Sequence, residues 1–336
     1  MCVLAFGACG AEDSADENLA GSTPAASAQP TPEPTPEPTP EPARLQLNGG
    51  ESLDWRCGIP FEEPGYTAID GNGADRSAEV SLEGEVICWK VGEYELKYSF
   101  LDEKGQEVFA TRRVNVVPAE LPEEVPTEKV IYLTFDDGPH ANTPYILETL
   151  AKYDAKATFF VIAQRENQYN YLLPEMEAQG HSIGIHCHDH SYGYLYSSEE
   201  VYFNDVLTAQ QIYYENLGHY ASISRFPGGG ATACTYLART VDGGFEQVEQ
   251  RLLDMGIRYF DWNIQESEST TIDTYYIFKG YVPKFDMPIF LQHDARDYSI
   301  GALEEMLKWG TEQGYEFRAI TDSTPQLAYE RPMGYA

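Results

Sequence analysis

VIYLTFDDGP, residues 130–139, opens the largest organised part of the chain. Six residues of strand-forming character run into two acids, a Gly and a Pro, and the run stops there. The amphipathic stretch TPYILETLAKY (143–153) follows, and then a second apolar run, ATFFVI (157–162). Further runs are SIGIH (182–186), SISRF (222–226), RYFDW (258–262), PIFLQH (288–293) and YEFRAI (315–320), with the amphipathic GALEEMLKWGTEQ (301–313) before the last. Strand-like runs that alternate with helical patterns build parallel βαβ units. The segment 129–336 is therefore expected to form an α/β fold, a distorted seven-stranded (β/α) barrel short of full eightfold closure. Its chemistry belongs where strands end and loops begin.

Upstream the pattern changes. Residues 45–118 hold short alternating runs, from LQLN at the end of ARLQLN (43–48) through AEVSLEGEVICW, YELKYSFLD and VFATRRVNVV, punctuated by Asn48-Gly49-Gly50, Asp70-Gly71-Asn72-Gly73 and Lys104-Gly105. This predicts a small β-sandwich-like domain. With the phrase EPGYTAIDGNG it resembles the immunoglobulin-like modules of bacterial surface proteins, whose default role is a spacer, with carbohydrate binding as the alternative. The stretch AELPEEVPTE (119–128) reads as a linker between the two domains. Residues 10–44 are a Pro/Thr/Glu-rich linker around TPEPTPEPTPEP (31–42). Pro at every second position removes helix donors, and few large apolar residues are present to bury, so a disordered, extended spacer is expected.

The first nine residues, MCVLAFGAC, look like the tail of a secretion signal, with Gly7 and Ala8 before Cys9 as in a lipoprotein cleavage site. A lipid anchor on Cys9 would place the protein on the outer membrane-facing side of a cell surface, and release after cleavage would make it secreted. Cys57 and Cys88 fall in one domain and Cys187 and Cys234 in the other, which permits one disulfide in each under oxidising conditions. The chain has 54 acids against 22 bases and a formal net charge of −32. Such a surface repels polyanions, which excludes nucleic acid as a partner and otherwise serves solubility.

Chemically loaded groups cluster at the strand ends: Asp136-Asp137 after VIYLTF, His186 and His190 after SIGI, Arg225 in SISRF, Asp261-Trp262 after RYF, and His293 after PIFLQ. Two imidazoles four residues apart can face one point from a helix or tight turn, and a carboxylate from elsewhere completes a two-His, one-carboxylate metal site with open positions for water. A hydrolase that works through metal-bound water also needs a base. Adjacent acids point in different directions, so one can bind the metal while the other stays available.

The order TFDDGP, H-x-x-x-H, R-F-P-G-G, D-W and L-x-H-D resembles the NodB-type polysaccharide deacetylases, carbohydrate esterase family four, over residues 129–324. The resemblance implies Asp136 as general base, Asp137, His186 and His190 as metal ligands, His293 as general acid and Arg225 as the residue that orients the base. It implies zinc as the metal, with cobalt or manganese also suited to these ligands. Pro227, Gly228 and Trp262 are expected on the substrate side, with the Gly228 N–H facing the developing oxyanion. Three departures stand out. Cys187 replaces a usual Thr, which permits a disulfide with Cys234. Gly228 replaces a usual Tyr, which is expected to open the site. The acid that tunes the catalytic His aligns best with Glu268, with Asp261 as the alternative.

The function so implied is removal of acetyl groups from an N-acetylated polysaccharide, with peptidoglycan N-acetylglucosamine first. Chitin oligomers, an exopolysaccharide and acetyl-xylan are the alternatives. The reading from another class is a non-catalytic wall-binding or structural surface protein.

Overall fold

The structure is a computed structural model that describes residues 41–125, 128–267 and 269–327. The signal-like segment with Cys9, the spacer up to Pro40 and Glu268 lie outside the described residues. Among the described residues no helix is long and apolar enough to cross a membrane.

The N-terminal module is all β. Strand β1 (Arg44–Leu47) pairs antiparallel with β3 (Tyr66–Ile69), and β2 (Ser52–Arg56), β4 (Ser81–Glu83), β5 (Gly92–Leu101) and β6 (Glu107–Val117) form a second sheet in the order β2-β6-β5-β4. Alternation along β5 and β6 buries Leu96, Tyr98, Phe100, Val114 and Val116 while their neighbours face outward, as a half-buried strand requires. Arg112 is fully buried among these residues and donates to the carbonyls of Asn48 and Gly65.

The C-terminal part begins with β7 (Val130–Asp136), every residue of which is buried. Then follow α1 (Thr143–Lys152), β8 (Ala157–Ile162), α2 (Leu173–Ala178), β9 (Ser182–Cys187), α3 (Tyr192–Leu195), α4 (Glu199–Leu217), β10 (Ile223–Ser224), α5 (Gly229–Thr240), α6 (Gly244–Asp254), β11 (Arg258–Tyr259), β12 (Ile264–Gln265), α7 (Thr271–Tyr281), β13 (Ile289–His293), α8 (Asp297–Glu312) and β14 (Glu316–Phe317). The parallel sheet runs β11-β10-β9-β8-β7-β13-β12, with β14 paired to the start of β7. The sheet is eight-stranded. The added strand is β12, which is two residues long and carries no periodicity that a sequence reading can detect. Among the described residues no ladder joins the edge strands β11 and β12, so the sheet forms a half-barrel, with Phe260 to Asn263 connecting the two edges.

The two parts share one core. Leu47, Cys57, Trp89, Leu96 and Val116 of the β module belong to the same apolar cluster as the buried residues of β7, β8 and α4. Trp89 stacks on Phe203 of α4 at 4.8 Å between centroids and 10° between planes, beneath the Arg251 guanidinium. The connecting stretch is fastened rather than slack: Ala119 N–H donates to the Asp254 carbonyl at 2.7 Å, and Arg258 binds Glu124 and the Pro122 carbonyl. In this structure Cys57 and Cys88 are not joined by the expected disulfide. Cys57, Cys88 and Cys187 are buried thiols, and burial holds all three above the ordinary thiol range, Cys57 at about 12.

Candidate active site and metal centre

Strand register assembles the site. His293 is the direct neighbour of Asp136 where β13 pairs with β7, so both side chains leave the sheet on one face at its C-terminal edge. One residue later the chain turns sharply. Asp137 has φ +71, a left-handed conformation that costs a non-glycine residue energy and takes it out of the strand's regular alternation. Asp136 meets Arg225, while Asp137 meets His186 of β9 and His190 of the loop after it. Gly138 permits the turn, because a Cβ there would lie 2.1 Å from Asp294 Oδ2.

His186 is on β9 and His190 is in the loop that follows, so a tight turn rather than a helix brings the rings together. Asp205 of α4 braces that loop by accepting from the backbone N–H groups of His188 and Asp189, each at 2.7 Å. His188 turns away, with Nδ1 2.6 Å from the Ala163 carbonyl. The Nε2 atoms of His186 and His190 are 3.3 Å apart and lie 3.4 and 3.5 Å from Asp137 Oδ1. A tetrahedron with bonds of about 2.0–2.1 Å to nitrogen and oxygen has edges of about 3.3 Å, so the three atoms are spaced as ligands of one ion. Two further features fit a cation. Asp137 Oδ1 is buried without a hydrogen-bond partner. His186 Nδ1 is 2.9 Å from the Arg225 carbonyl, which fixes that nitrogen as the donor and leaves Nε2 a lone pair for metal. Burial opposes charge on Asp137, but the close approach of His186 and the positive character of His186, His190 and His293 outweigh it and hold the carboxyl at about 2. Burial and the neighbouring His186 hold His190 below the usual imidazole range.

Arg225 is fully buried and fully used. Its Nη1 donates to Asp136 Oδ1 at 2.9 Å and to Thr134 Oγ1 at 2.7 Å, Nε to the Phe260 carbonyl, and Nη2 to the Asp261 carbonyl. Its guanidinium lies 4.2 Å from the centre of the Phe160 ring and 5.5 Å from that of Trp262.

Among the described residues the carboxylate that faces His293 is not Asp261; Glu268, the other expected partner, lies outside the described residues. That carboxylate is Glu266, whose Oε1 is 2.7 Å from His293 Nδ1 and whose Oε2 accepts from Ser299 Oγ. Pairing of Gln265 with Leu291 carries Glu266 up beside the end of β13. Burial opposes the imidazolium, but the Glu266 hydrogen bond and the charges of Asp136, Glu266 and Asp137 prevail, so His293 titrates above its usual range. Asp261 has other work: both its oxygens accept from Gly230 N–H at 3.1 Å at the start of α5, and burial raises its pKa. Glu266 obeys the same strand-end rule as the other groups. It escaped because β12 was not legible.

Gly228, at φ +74, does not open the site as expected. The Tyr192 hydroxyl and Thr232 Oγ1 each lie 3.0 Å from where its Cβ would stand. Trp262 packs over Gly229, and the Pro227 carbonyl accepts from the Tyr196 hydroxyl at 2.8 Å.

Comparison with known proteins agrees with this geometry. Residues 123–248 match the family model "Polysaccharide deacetylase", and residues 45–116 match "Bacterial surface protein, Ig-like domain". A peptidoglycan-N-acetylglucosamine deacetylase of Bacillus cereus is 32% identical over 202 residues, which cover 58% of this chain and 71% of that protein. A peptidoglycan-N-acetylglucosamine deacetylase of Listeria monocytogenes is 32% identical over 209 residues, 59% of this chain and 40% of the relative. Among solved structures, the catalytic domain of peptidoglycan N-acetylglucosamine deacetylase from Eubacterium rectale superposes with a TM-score of 0.57 at 32% identity, covering 62% of this chain and 96% of that one.

Proposed function

The chain belongs to the polysaccharide deacetylase family, and from that membership we propose that it is a metal-dependent hydrolase that removes acetyl groups from the N-acetylglucosamine residues of peptidoglycan. The observation that carries this reading is the pairing of Asp136 and His293 on neighbouring strands beside the Asp137–His186–His190 cluster. A base and an acid thereby flank a point where an acetamide carbonyl can be polarised.

A divalent cation held by Asp137, His186 and His190, with zinc first and cobalt or manganese as alternatives, supplies Lewis acidity toward the carbonyl and toward water. Asp136 takes the proton of the attacking water. Arg225 fixes one of its oxygens and balances its buried charge, which leaves the other oxygen to accept. The negative oxygen of the tetrahedral species faces the Gly228 N–H at the start of α5. His293 gives its Nε2 proton to the departing nitrogen, since an amine leaves poorly unless protonated, while Nδ1 donates to Glu266 and keeps the ring cationic and oriented.

The peptidoglycan substrates of the relatives and the surface-protein character of the Ig-like match support an extracytoplasmic location, with Cys9 as the position a lipid would modify. Acetate release from peptidoglycan, chitin oligomers and acetyl-xylan tests the function. Release from peptidoglycan above the other two is expected. A fully metal-loaded protein that frees acetate from none of them would overturn the reading.

A further inference from the structure

Helix α4 ends at Leu217, and Gly218 closes it with φ +81 while its N–H donates to the Tyr214 carbonyl at 2.9 Å. The reversal folds Tyr220 back onto Tyr214, with ring centroids 5.0 Å apart and 22° between planes. Gln210 pins the loop: it accepts from the Ala221 N–H and donates to the Ala221 carbonyl, each at 2.8 Å. The tyrosine pair is thus fixed in place, and Tyr214 is exposed. Facing it is the end of β2. A Cβ on Gly58 would lie 2.9 Å from the Met255 Cβ, so the β module is seated closely against the barrel here. Between Arg56, Gly58, Tyr214, His219, Tyr220 and Gly256 lies a cavity of about 350 Å³. Ser222 and Gly256, which also line it, stand just before β10 and β11, so it opens at the end of the sheet opposite the catalytic groups.

No carboxylate lines this cavity, although the chain has 54 acids against 22 bases. Glu177 is paired with His219 at 2.9 Å, and Glu62 acts on Tyr220 from outside the lining. Arg56 is exposed and forms no ion pair among the described residues. The bare Gly256 leaves its guanidinium room, since a Cβ there would stand 3.1 Å from Arg56 Nη2. We propose that this cavity is a second glycan site, remote from the catalytic cleft, that takes a carboxylate-bearing sugar: Arg56 pairs with the carboxylate, and the Tyr214–Tyr220 pair covers the apolar face of the ring. A guanidinium presents a fork of donors that matches a carboxylate. An aromatic ring offers flat apolar area with a polar rim, and the volume falls within the roughly 300–1,000 Å³ of small-ligand sites. The identity of the sugar, N-acetylmuramic acid of a peptidoglycan strand, rests on the deacetylase reading; the preference for an anionic sugar does not. Because Arg56 comes from the β module and the tyrosines from the barrel, the seam between them holds glycan and the β module is more than a spacer.

The test uses the metal-loaded full chain and the variants Arg56→Gln and Tyr214→Ala, both at exposed positions. Calorimetry compares N-acetylmuramic acid with N-acetylglucosamine, which lacks the carboxylate-bearing arm, and with acetate. The wild type should bind the acidic sugar more tightly than either. Arg56→Gln should weaken that binding about tenfold or more, as loss of a hydrogen bond to a charged group does, and should erase the preference over N-acetylglucosamine. Tyr214→Ala should weaken it roughly threefold. In both variants Tm, metal content and kcat for acetate release should stay at wild-type values while KM for peptidoglycan strands rises. Equal affinity of the wild type for the two sugars, or wild-type affinity for the acidic sugar in Arg56→Gln, would overturn the proposal. Acetate bound as tightly as the sugar acid would overturn it as a sugar site. If Tyr214→Ala lowers Tm, Arg56→Gln decides. A wild type that frees no acetate from any glycan refutes the deacetylase reading, while the calorimetric series still decides the second site.

Discussion

Replacing Trp89 by Ala asks whether the β module is a spacer or part of the catalytic body. Trp89 is only 8% exposed. It lies in the loop between β4 and β5, yet its ring stacks on Phe203 of α4 and carries Arg251 over its face. Truncation of a buried aromatic costs about 3–5 kcal/mol, a figure that includes the stacking. The lower end applies here, because a cavity of about 560 Å³ lined by Glu85, Trp89, Ser198 and Val241 adjoins the ring and lets neighbours shift. A loss of about 3 kcal/mol should lower Tm by roughly 5–10 °C in a body of this size. Differential scanning calorimetry should show one cooperative transition in the wild type that moves down as a whole. Two separate transitions in the wild type, or an unchanged Tm in Trp89→Ala, would refute the claim that the modules share a core.

Other consequences are equally direct. Asp136→Asn should retain metal and lose most turnover, whereas Asp137→Ala should lose both; equal metal loss in the two, read by metal analysis, would mean that their roles are wrongly divided. The rate profile should be bell-shaped. Its alkaline limb should report His293, whose pKa Glu266 helps to raise, so Glu266→Gln should move that limb to lower pH while Asp261→Asn leaves it in place. A shift with Asp261→Asn alone would contradict the Glu266 contact. His181 is buried, accepts the Ala157 N–H at Nδ1, and is held at about 4 by burial and Lys156. A depressed folded-state value means stability that is full above the unfolded value near 6.5 and is lost as pH falls toward 4. Thermal melts across that window should show a fall that His181→Asn reduces.

Much was legible from order along the chain. The apolar runs gave seven of the eight strands because buried parallel strands need nearly continuous apolar residues. The groups just past those runs gave the positions of the candidate metal ligands and acid–base residues, because strand ends of parallel sheets lie together at one edge. Glu266 and β12 were not legible. A two-residue strand has no period, and pairing with β13 rather than any local signal lifts Glu266 to His293. Gly228 misled for a related reason: a missing side chain reads as open space, but Tyr192, 36 positions earlier in sequence, reaches across and fills it.

The sequence by itself determined which residue types stand at the strand ends and hence the reaction they can perform, because hydrophobic periodicity and ligand chemistry are local properties of the chain. Tertiary structure alone decided which carboxylate meets His293, which way Asp137 faces, and that the β module is fused to α4 through Trp89 and Phe203. These depend on register, on one left-handed φ and on packing between distant segments, and such contacts leave no mark on either segment read alone.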